Sequence, residues 1–547
     1  MIYADSVLLN GNIITMDVNN SIVNSISIKD SFILSLGTVD EITKQINDNT
    51  KVFDLNGKYV TPGLIDSHSH LASTGIELLY VMDLSNNSIK SIKDVLNVIK
   101  SQSSKIKKGE WILGSRLNES SLDENRLPNR FDLDLVSPHS PVYITHSVGH
   151  FGVVNTFALN LAGITKDTPQ PMGGTIDKDP KTGEPTGILR EPSAMNLVRD
   201  FIPSWSSDHY REGIKKAVDE YLKEGITANK DPGPFTTSGN SFEAYKSLHE
   251  SGELKMRIYL LLPIDSKESY YESAKIIENY PSDDVLKLGG VKIFLDGSIV
   301  ARTAWSKENW YANGKIDPDN NGYPVIDLDL LHDLIKLSHE NGFQINVHSI
   351  GDKSTDFLVK AYLNVLSDHP KDNHRHSIIH GMLIDSELSN LIKKADLVIE
   401  TQPNFLYFFG ANYVDACGPE RTKLLMPLKS LLNNGIMVSA GSDSFICPHS
   451  PKYGLIGATT RYSLNIMNGD YPTGTEEKIN MMESLKMYTY NSAYCLFWDD
   501  KIGSLESGKK ADLVIWSGDL LNDNVDSLLG LKAETTFIDG KVVYSSK

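Results

Sequence analysis

The chain has 547 residues, of which 40% are hydrophobic and 22% are charged, as in an ordinary globular protein. Its 53 Lys and Arg against 70 Asp and Glu give a formal net charge of -17, which argues against a nucleic-acid partner because such a partner requires a basic face. Three cysteines without a CxxC pair exclude a disulfide scaffold and a zinc ribbon. We find no secretion signal and no apolar run of roughly 20 residues that a membrane span needs, so we expect no membrane partner and a cytoplasmic location.

Both ends of the chain have the pattern of short β-strands. Apolar runs flank Asn10-Gly11, which is the signal of a hairpin, and residues 511–516 and 536–544 are similar runs near the other end. Neither piece has enough strands to bury a face alone. We therefore predict one composite β-sandwich domain built from residues 1–60 and 497–547.

The middle of the chain repeats a helix, a glycine and a strand. Helical patterns end at Gly225, Gly342 and Gly435, and a buried apolar run follows each of them, as in the second half of a βα unit. Eight strands with polar groups at their ends finish near His68 and His70, His146, Lys230 and Asp231, Lys292, His348, His380, Gln402 and Asp443. We predict an α/β fold, a TIM-like (β/α)₈ barrel over residues 61–496 with its chemistry at the carboxyl ends of the strands. A doubly wound sheet is the alternative, since strand order cannot be read from the sequence.

A long interval separates two of these strands. Residues 172–177 and 184–189 have the pattern of a hairpin within an insertion at about 155–205. Because long loops in compact domains are usually functional, we predict that this insertion lies over the barrel mouth as a lid.

Two histidines follow the first apolar run of the barrel. His68 and His70 are two residues apart, so at a strand end they face the same side and can hold one metal ion, although a surface pair in a loop would look the same. His348 and His380 each close a run rich in β-branched residues, and Asp443 ends the eighth strand. A carboxylate beside a metal-bound water can bind the ion and accept the proton of the water. Together these residues predict a metal site.

This arrangement, with His-x-His on strand one, His on strands five and six, and Asp on strand eight, resembles the amidohydrolase superfamily. Within it, the chain is most similar to the metal-dependent hydrolase branch (amidohydrolase family 3) that includes N-substituted formamide deformylase. The matching segments are residues 61–70, 146–150, 225–227, 291–298, 348–352, 491–493 and 503–513. The resemblance implies hydrolysis of a carbon–nitrogen bond in a small amide, formamide or cyclic amide, with one or two divalent ions, Zn²⁺ or a similar metal, per chain.

The resemblance also gives Lys292 and Asp443 roles. It implies that Lys292 is carboxylated by CO₂ to N6-carboxylysine and bridges two metals, with a plain amine and one metal as the alternative. Asp443 then accepts a proton from water and passes it to the leaving nitrogen. Two departures from the family pattern alter the pocket rim: Ile379 stands where Glu is usual, and Ser444-Phe445 stand where Pro is usual.

The substrate side of the site has weaker signals. His146 and His150 follow a predicted strand and are candidates for hydrogen bonds to a substrate carbonyl, while Arg302 and Trp305, like the aromatic run at 405–409, are candidates for the pocket wall. A structural role is the alternative for each of them. The partner we expect is a small-molecule substrate, and a homodimer is the assembly we consider.

Two other functions compete with amide hydrolysis. One is deamination of a heterocyclic amidine with a single metal, which would release ammonia. The other is a barrel that binds a ligand without catalysis, which should show gaps among the ligand positions. The sequence has a candidate at every position, which favours an enzyme.

Overall fold

A computed structural model describes residues 2–85, 88–119, 122–147, 151–171, 174–233, 240–278, 280–312, 314–464 and 474–546. They form two compact units, one of Met1–Thr74 with Ile214–Lys547 and one of Gly75–Gly213. None of the helices in the described part of the chain is long and apolar enough to cross a membrane.

The larger unit is organised around eight parallel strands. They are β1 (Leu64–Asp66), β2 (Ile226–Asp231), β3 (Arg257–Pro263), β4 (Leu286–Phe294), β5 (Gln344–Ser349), β6 (Ser377–His380), β7 (Val398–Thr401) and β8 (Val438–Ala440). Each strand pairs with the next one in chain order. The first and last strands also meet, because Ser67 N donates to Ala440 O at 3.2 Å and Asp443 N donates to His68 O at 2.8 Å. The sheet is therefore a nearly closed barrel, as predicted, and not a doubly wound sheet.

One of the eight predicted strands was wrong. Val142–His146 was counted as strand two, but it belongs to a separate sheet in the smaller unit, and β3 takes its place in the barrel count. The run Arg257–Pro263 ends in proline and has no polar group at its carboxyl end. A count based on polar strand ends therefore misses it.

Helices follow most of the barrel strands. The helices of the larger unit outside the terminal strands are Asn240–Glu250, Lys267–Glu278, Leu328–Glu340, Asp352–Asp368, Ser386–Lys394, Asn404–Thr422, Leu428–Asn433, Pro451–Thr460, Met481–Met487 and Tyr490–Cys495, and Ser207–Lys223 enters this unit from the smaller one. In Leu328–Glu340, Asp327 caps the first turn by accepting from two backbone N–H groups. Gly342, with φ of +81°, follows its end. The predicted alternation of helix, glycine and strand is confirmed here.

The strands near both chain ends form two sheets. One has the order Phe32–Gly37, Ser25–Lys29, Ser6–Leu9, Lys51–Asp54, and the other has the order Lys541–Ser545, Ala533–Ile538, Leu513–Trp516, Tyr59–Pro62, Asn12–Ile14, Ile22–Val23; short helices at Val39–Thr43 and Val525–Gly530 accompany them. The predicted hairpin at Asn10-Gly11 was wrong, because the strands on either side of it belong to different sheets. Asn10, with φ of +60°, lies at a corner between the sheets. Leu8, Ile13 and Phe537 belong to one buried cluster that both sheets supply.

The smaller unit contains a six-stranded sheet. Its strands, in sheet order, are Thr175–Lys178, Pro185–Arg190, Phe151–Val154, Val142–His146, Ile112–Leu117 and Val81–Asp83, and its helices are Ile92–Ser103, Arg130–Asp134, Thr156–Leu161 and Glu191–Arg199, with Leu71–Tyr80 leading into it. The predicted hairpin is present as the antiparallel pair of the first two strands. The predicted insertion at 155–205 lies within this unit, and its role as a lid stays a prediction.

A chain of buried histidines lies at the amino ends of β5 and β6. Ile345 N donates to His376 Nδ1 at 3.1 Å, and His376 Nε2 pairs with His339 Nδ1 at 2.8 Å. His339 Nε2 then donates to His369 O at 2.7 Å. In His376 and in His339, one ring nitrogen donates and the other accepts, which is the pattern of a neutral imidazole.

Acidification is expected to destabilise this end of the barrel. Burial, and then neighbouring His374 and His339, hold the pKa of His376 well below its usual value of 6.5. Below about pH 6.5 the unfolded chain takes up a proton that the folded chain refuses, so the contribution of His376 to stability is complete above that pH and falls by about 1.4 kcal/mol per pH unit below it. Urea midpoints at neutral and mildly acidic pH test this in the wild type and in His376→Gln. The urea midpoint of His376→Gln should fall less on acidification than that of the wild type. An equal fall in both proteins would contradict the role of His376 in the acid sensitivity.

Candidate metal centre

The carboxyl ends of four barrel strands bring five predicted ligands together. His68 and His70 follow β1, His348 lies in β5, His380 ends β6 and Asp443 follows β8. The ligand atoms of His68, His380 and Asp443 lie within 4.8 Å of one another. Nε2 of His68 and Nε2 of His70 are each 3.5 Å from Asp443 Oδ1, and His348 Nδ1 is 2.9 Å from His380 Nε2.

Hydrogen bonds at the far side of three imidazoles fix their tautomers. His70 Nδ1 donates to Gly233 O at 2.8 Å, and His348 Nε2 donates to Gly297 O at 3.1 Å. His380 Nδ1 donates to Gln402 Oε1 at 2.5 Å. In each ring the nitrogen that faces the site is then left with a lone pair. Metal-binding histidines are commonly oriented by such partners.

Two unprotonated ring nitrogens face each other where His348 meets His380. Both facing nitrogens carry lone pairs, so neither ring in its neutral form can donate to the other. Burial lowers the pKa of His348 to about 3 and that of His380 well below 6.5. An extra proton shared by the two facing nitrogens is therefore not expected at neutral pH. Both rings would therefore help to hold a divalent metal, and the donor set of imidazoles and a carboxylate suits such an ion.

Lys292 is a buried lysine with an unusual environment. It lies in β4 opposite Asn346 of β5 and is 1% exposed. Its Nζ lies 4.6 Å from the ring centroid of Phe294 and has no hydrogen-bond partner among the described residues. Burial lowers the pKa of Lys292. A buried ammonium without a hydrogen-bond partner is costly, so this position fits a lysine whose nitrogen is modified or bound.

Asp443 is held in place by the end of β1. Its backbone has φ of +54° and its N–H donates to His68 O. Asp66 ties the two strand ends together by accepting from Ser442 N at 2.9 Å and His68 N at 3.2 Å. A Cβ on Gly441 would lie 2.5 Å from His68 N, so only glycine allows this close approach. Burial raises the pKa of Asp443, against the opposing effect of Lys292.

An ion pair lies inside the barrel. Lys230 of β2 contacts Glu400 of β7 at 2.8 Å and donates to Asn346 Oδ1 of β5 at 2.5 Å. The side chains of Lys230 and Glu400 are fully buried. Because these strands are not neighbours, the contacts cross the barrel. Removing one partner would leave an unpaired buried charge.

The predicted substrate residues have other neighbours. His146 lies in the smaller unit, with Nε2 2.6 Å from Glu119 Oε2, and His150 lies outside the described residues. Arg302 Nε donates to Tyr311 O at 2.5 Å, and its guanidinium also pairs with Asp415. Trp305 packs against Phe357, with ring centroids 6.4 Å apart. Contact of these residues with substrate stays a prediction.

Sequence reasoning missed two residues that orient ligands. The sequence predicts Gln402 only as a strand end, and Asp66 only as part of the matching segment 61–70. Both occupy the same carboxyl edge of the barrel as the ligands. That position is the signal that could have identified them.

Comparisons with known proteins identify the family of this chain. The model of the amidohydrolase family matches residues 51–544. Protein YtcJ of Bacillus subtilis is 30% identical over 98% of both chains, and N-substituted formamide deformylase of Arthrobacter pascens is 27% identical over 99% of this chain and 98% of its own. The structure of an uncharacterized metal-dependent hydrolase from Pyrococcus furiosus superposes with a TM-score of 0.76 at 25% identity, covering 94% of this chain and all of that one.

The family match and the full-length relatives, together with the cluster of histidines and a carboxylate at the barrel edge, identify a metal-dependent hydrolase that acts on carbon–nitrogen bonds. The chain belongs to the amidohydrolase family.

Proposed function

We propose that the enzyme hydrolyses N-substituted formamides or closely related small amides. The observation that carries this proposal is the set of four neighbouring imidazoles, three with fixed tautomers, of which His68 and His70 lie 3.5 Å from Asp443. The near full-length similarity to N-substituted formamide deformylase supports a formamide substrate. The deaminase and the binding barrel remain as alternatives that the test below separates.

We propose Zn²⁺ as the metal, held by His68, His70, His348, His380 and Asp443. Imidazole and carboxylate are ordinary zinc ligands. Two ions would be bridged by carboxylated Lys292, and one ion would leave Lys292 as an amine. The Nζ of Lys292 supports the bridged form, because a carbamate adds two anionic oxygens to a nitrogen that has no hydrogen-bond partner among the described residues. The lowered pKa favours the neutral amine, which is the form that reacts with CO₂.

The chain supplies the proton transfers. When bound, the metal lowers the pKa of water and polarises the substrate carbonyl. Asp443 accepts a proton as the oxygen of water bonds to the carbonyl carbon. It then gives that proton to the leaving nitrogen as the carbon–nitrogen bond breaks, so the products are an acid and an amine. Gln402 and the carbonyl groups of Gly297 and Gly233 hold the imidazoles in the tautomers that the site requires.

The terminal sheets have a proposed role in placing β1. We propose that residues 1–60 and 497–547 form a composite β-sandwich. Tyr59–Pro62 immediately precedes β1 and pairs with Leu513–Trp516, and Gly63 N donates to Asp512 O at 2.9 Å. The strand that presents His68 and His70 would thus be anchored from both ends of the chain.

A substrate screen tests the proposed function. Metal-loaded protein is incubated with N-formyl, N-acyl and cyclic amides and with heterocyclic amidines, and amine and ammonia are measured separately. We expect a primary amine and formate from N-substituted formamides. Ammonia from amidines alone would select deamination, and a protein that binds metal without turning over any class would contradict an enzymatic role.

A further inference from the structure

Two buried carboxylates lie at the carboxyl edge of the barrel without being candidate ligands. Asp231 is the last residue of β2, and Asp296 lies two residues after the end of β4. They are 1% and 2% exposed. Burying a carboxylate is costly unless hydrogen bonds compensate its charge, so the partners of each one indicate what it does.

Asp296 joins two segments that meet beside His348. Its carboxylate accepts four hydrogen bonds, from Ile350 N at 3.0 Å, Gly351 N at 2.9 Å, Trp305 N at 2.9 Å and Ser354 Oγ at 2.7 Å. The next residue in the chain, Gly297, supplies the carbonyl that accepts from His348 Nε2 at 3.1 Å. Asp296 therefore fixes this carbonyl relative to the backbone that directly follows His348.

Asp231 has the same arrangement at His70. Its Oδ1 accepts from Gly233 N at 2.9 Å, and the carbonyl of Gly233 accepts from His70 Nδ1 at 2.8 Å. Its Oδ2 accepts from Ala72 N at 3.0 Å and from Tyr245 OH at 2.6 Å. Again one carboxylate joins the backbone that follows a histidine to the carbonyl that accepts from its ring.

Asp296 acts on its histidine through the backbone. Its Oδ1 is 3.7 Å from His348 Nε2, which is longer than a hydrogen bond, and the ring proton goes to the carbonyl of Gly297 instead. A carbonyl accepts from a neutral imidazole and leaves the other ring nitrogen with its lone pair. The carboxylate thus fixes the direction of the ring without competing for its proton.

We propose that Asp231 and Asp296 are positioning residues that hold His70 and His348 for a metal ion, each through the carbonyl that accepts from the imidazole. This inference rests on the proposed metal site and is independent of the substrate. Partners that orient metal-binding histidines typically contribute 10- to 100-fold to metal affinity or activity. Two histidines held in the same way would both depend on a carboxylate that never touches the ion.

Zinc affinity of the full-length protein tests this role. The Kd for Zn²⁺ is measured by competition with a chromophoric chelator for the wild type, Asp231→Asn and Asp296→Asn, and urea midpoints show whether each variant is folded. An amide has one oxygen and turns N–H groups toward the backbone N–H donors, so part of each set of hydrogen bonds is lost. We expect each variant to weaken Zn²⁺ binding by about 10- to 100-fold.

Asp352→Asn is the matched control. Asp352 begins the helix after β5 and accepts from Ser306 Oγ at 2.9 Å and Lys307 N at 2.8 Å. Like Asp296, it joins the loop after β4 to this helix, but it is not next to a carbonyl that accepts from a ligand histidine. Asp352→Asn should therefore keep the wild-type Kd for Zn²⁺.

A double-mutant cycle separates positioning from a general loosening of the loops. In a His348→Ala background, Asp296→Asn should cause no further loss of Zn²⁺ affinity, because the ring on which it acts is gone. An equal further loss there, or unchanged affinity in both single variants, would overturn the positioning role and leave the metal site intact. A wild type that does not bind Zn²⁺ would overturn the proposed metal and this role together.

Milder variants replace any aspartate variant that does not fold. Ser354→Ala removes one of the four donors to Asp296, and Tyr245→Phe removes one of the donors to Asp231. Each keeps its carboxylate and should weaken Zn²⁺ binding by less than the change of the aspartate itself. Wild-type affinity in both milder variants would count against the role in the same way.

Discussion

Asp443→Asn is expected to lower turnover by about 10²–10⁴-fold while the protein stays folded and keeps most of its metal. The amide matches the carboxylate in size, and asparagine tolerates the positive φ of this position better than most residues. Its oxygen can still contact a metal, but it cannot accept a proton from water. The variant should therefore separate metal binding from catalysis.

Metal analysis, circular dichroism and steady-state kinetics measure the effect of Asp443→Asn. Asp333→Asn provides the control, because Asp333 is an exposed carboxylate that pairs with Lys267 on a helix surface. The control should retain wild-type turnover. Near-normal activity in Asp443→Asn would refute the role of Asp443 as the proton acceptor.

Lys292→Ala is expected to reduce turnover by at least about 100-fold, because partners around a metal commonly contribute 10–100-fold even without touching it. The change removes the nitrogen on which a carbamate would form and leaves a space of similar size. Added acetate or propionate should restore part of the activity, since a small carboxylate can enter that space and supply the missing oxygens. Activity is measured with and without the added acid.

Lys287→Ala is the matched control for Lys292. Lys287 lies on the same strand, where it packs over Tyr259 and Phe497, and its removal should leave turnover close to that of the wild type. Native mass spectrometry should show the mass of one CO₂ on the wild type and none on Lys292→Ala. A wild type with one ion per chain and no added mass on Lys292 would exclude the bridged form.

The polar ends of the strands made most of the cluster of candidate ligands predictable. A buried apolar run that stops at His348, His380 or Asp443 leaves its last side chain at the carboxyl edge of the barrel, where parallel strands converge. Lys292 was also placed near a strand end, and only its role came from the family resemblance. It lies two residues before Phe294, the last residue of β4, and so shares a face with it. The same reasoning failed for β3, whose carboxyl end is Pro263, and it placed His146 in the barrel although its strand pairs elsewhere.

Contacts between distant segments were not predictable in the same way. Asn10-Gly11 carries a strong local hairpin signal, yet the flanking strands pair with partners that lie farther along the chain. Asp66 and Gln402 act through hydrogen bonds to Ser442 and His380. These two hydrogen-bonded pairs can be identified only in the folded barrel, where their strands come together. In the sequence, Asp66 and Gln402 do not differ in type from many polar residues in loops.

Removal and replacement of the metal tests the function of this site most directly. Protein stripped with a chelator, and shown by elemental analysis to be free of metal, should have no measurable hydrolysis of the N-substituted formamide that the substrate screen identifies. Added Zn²⁺ should restore the release of amine and formate in equal amounts, but not in His380→Asn, which removes one of the two facing imidazoles. Full turnover by the verified metal-free protein would contradict a metal-dependent mechanism.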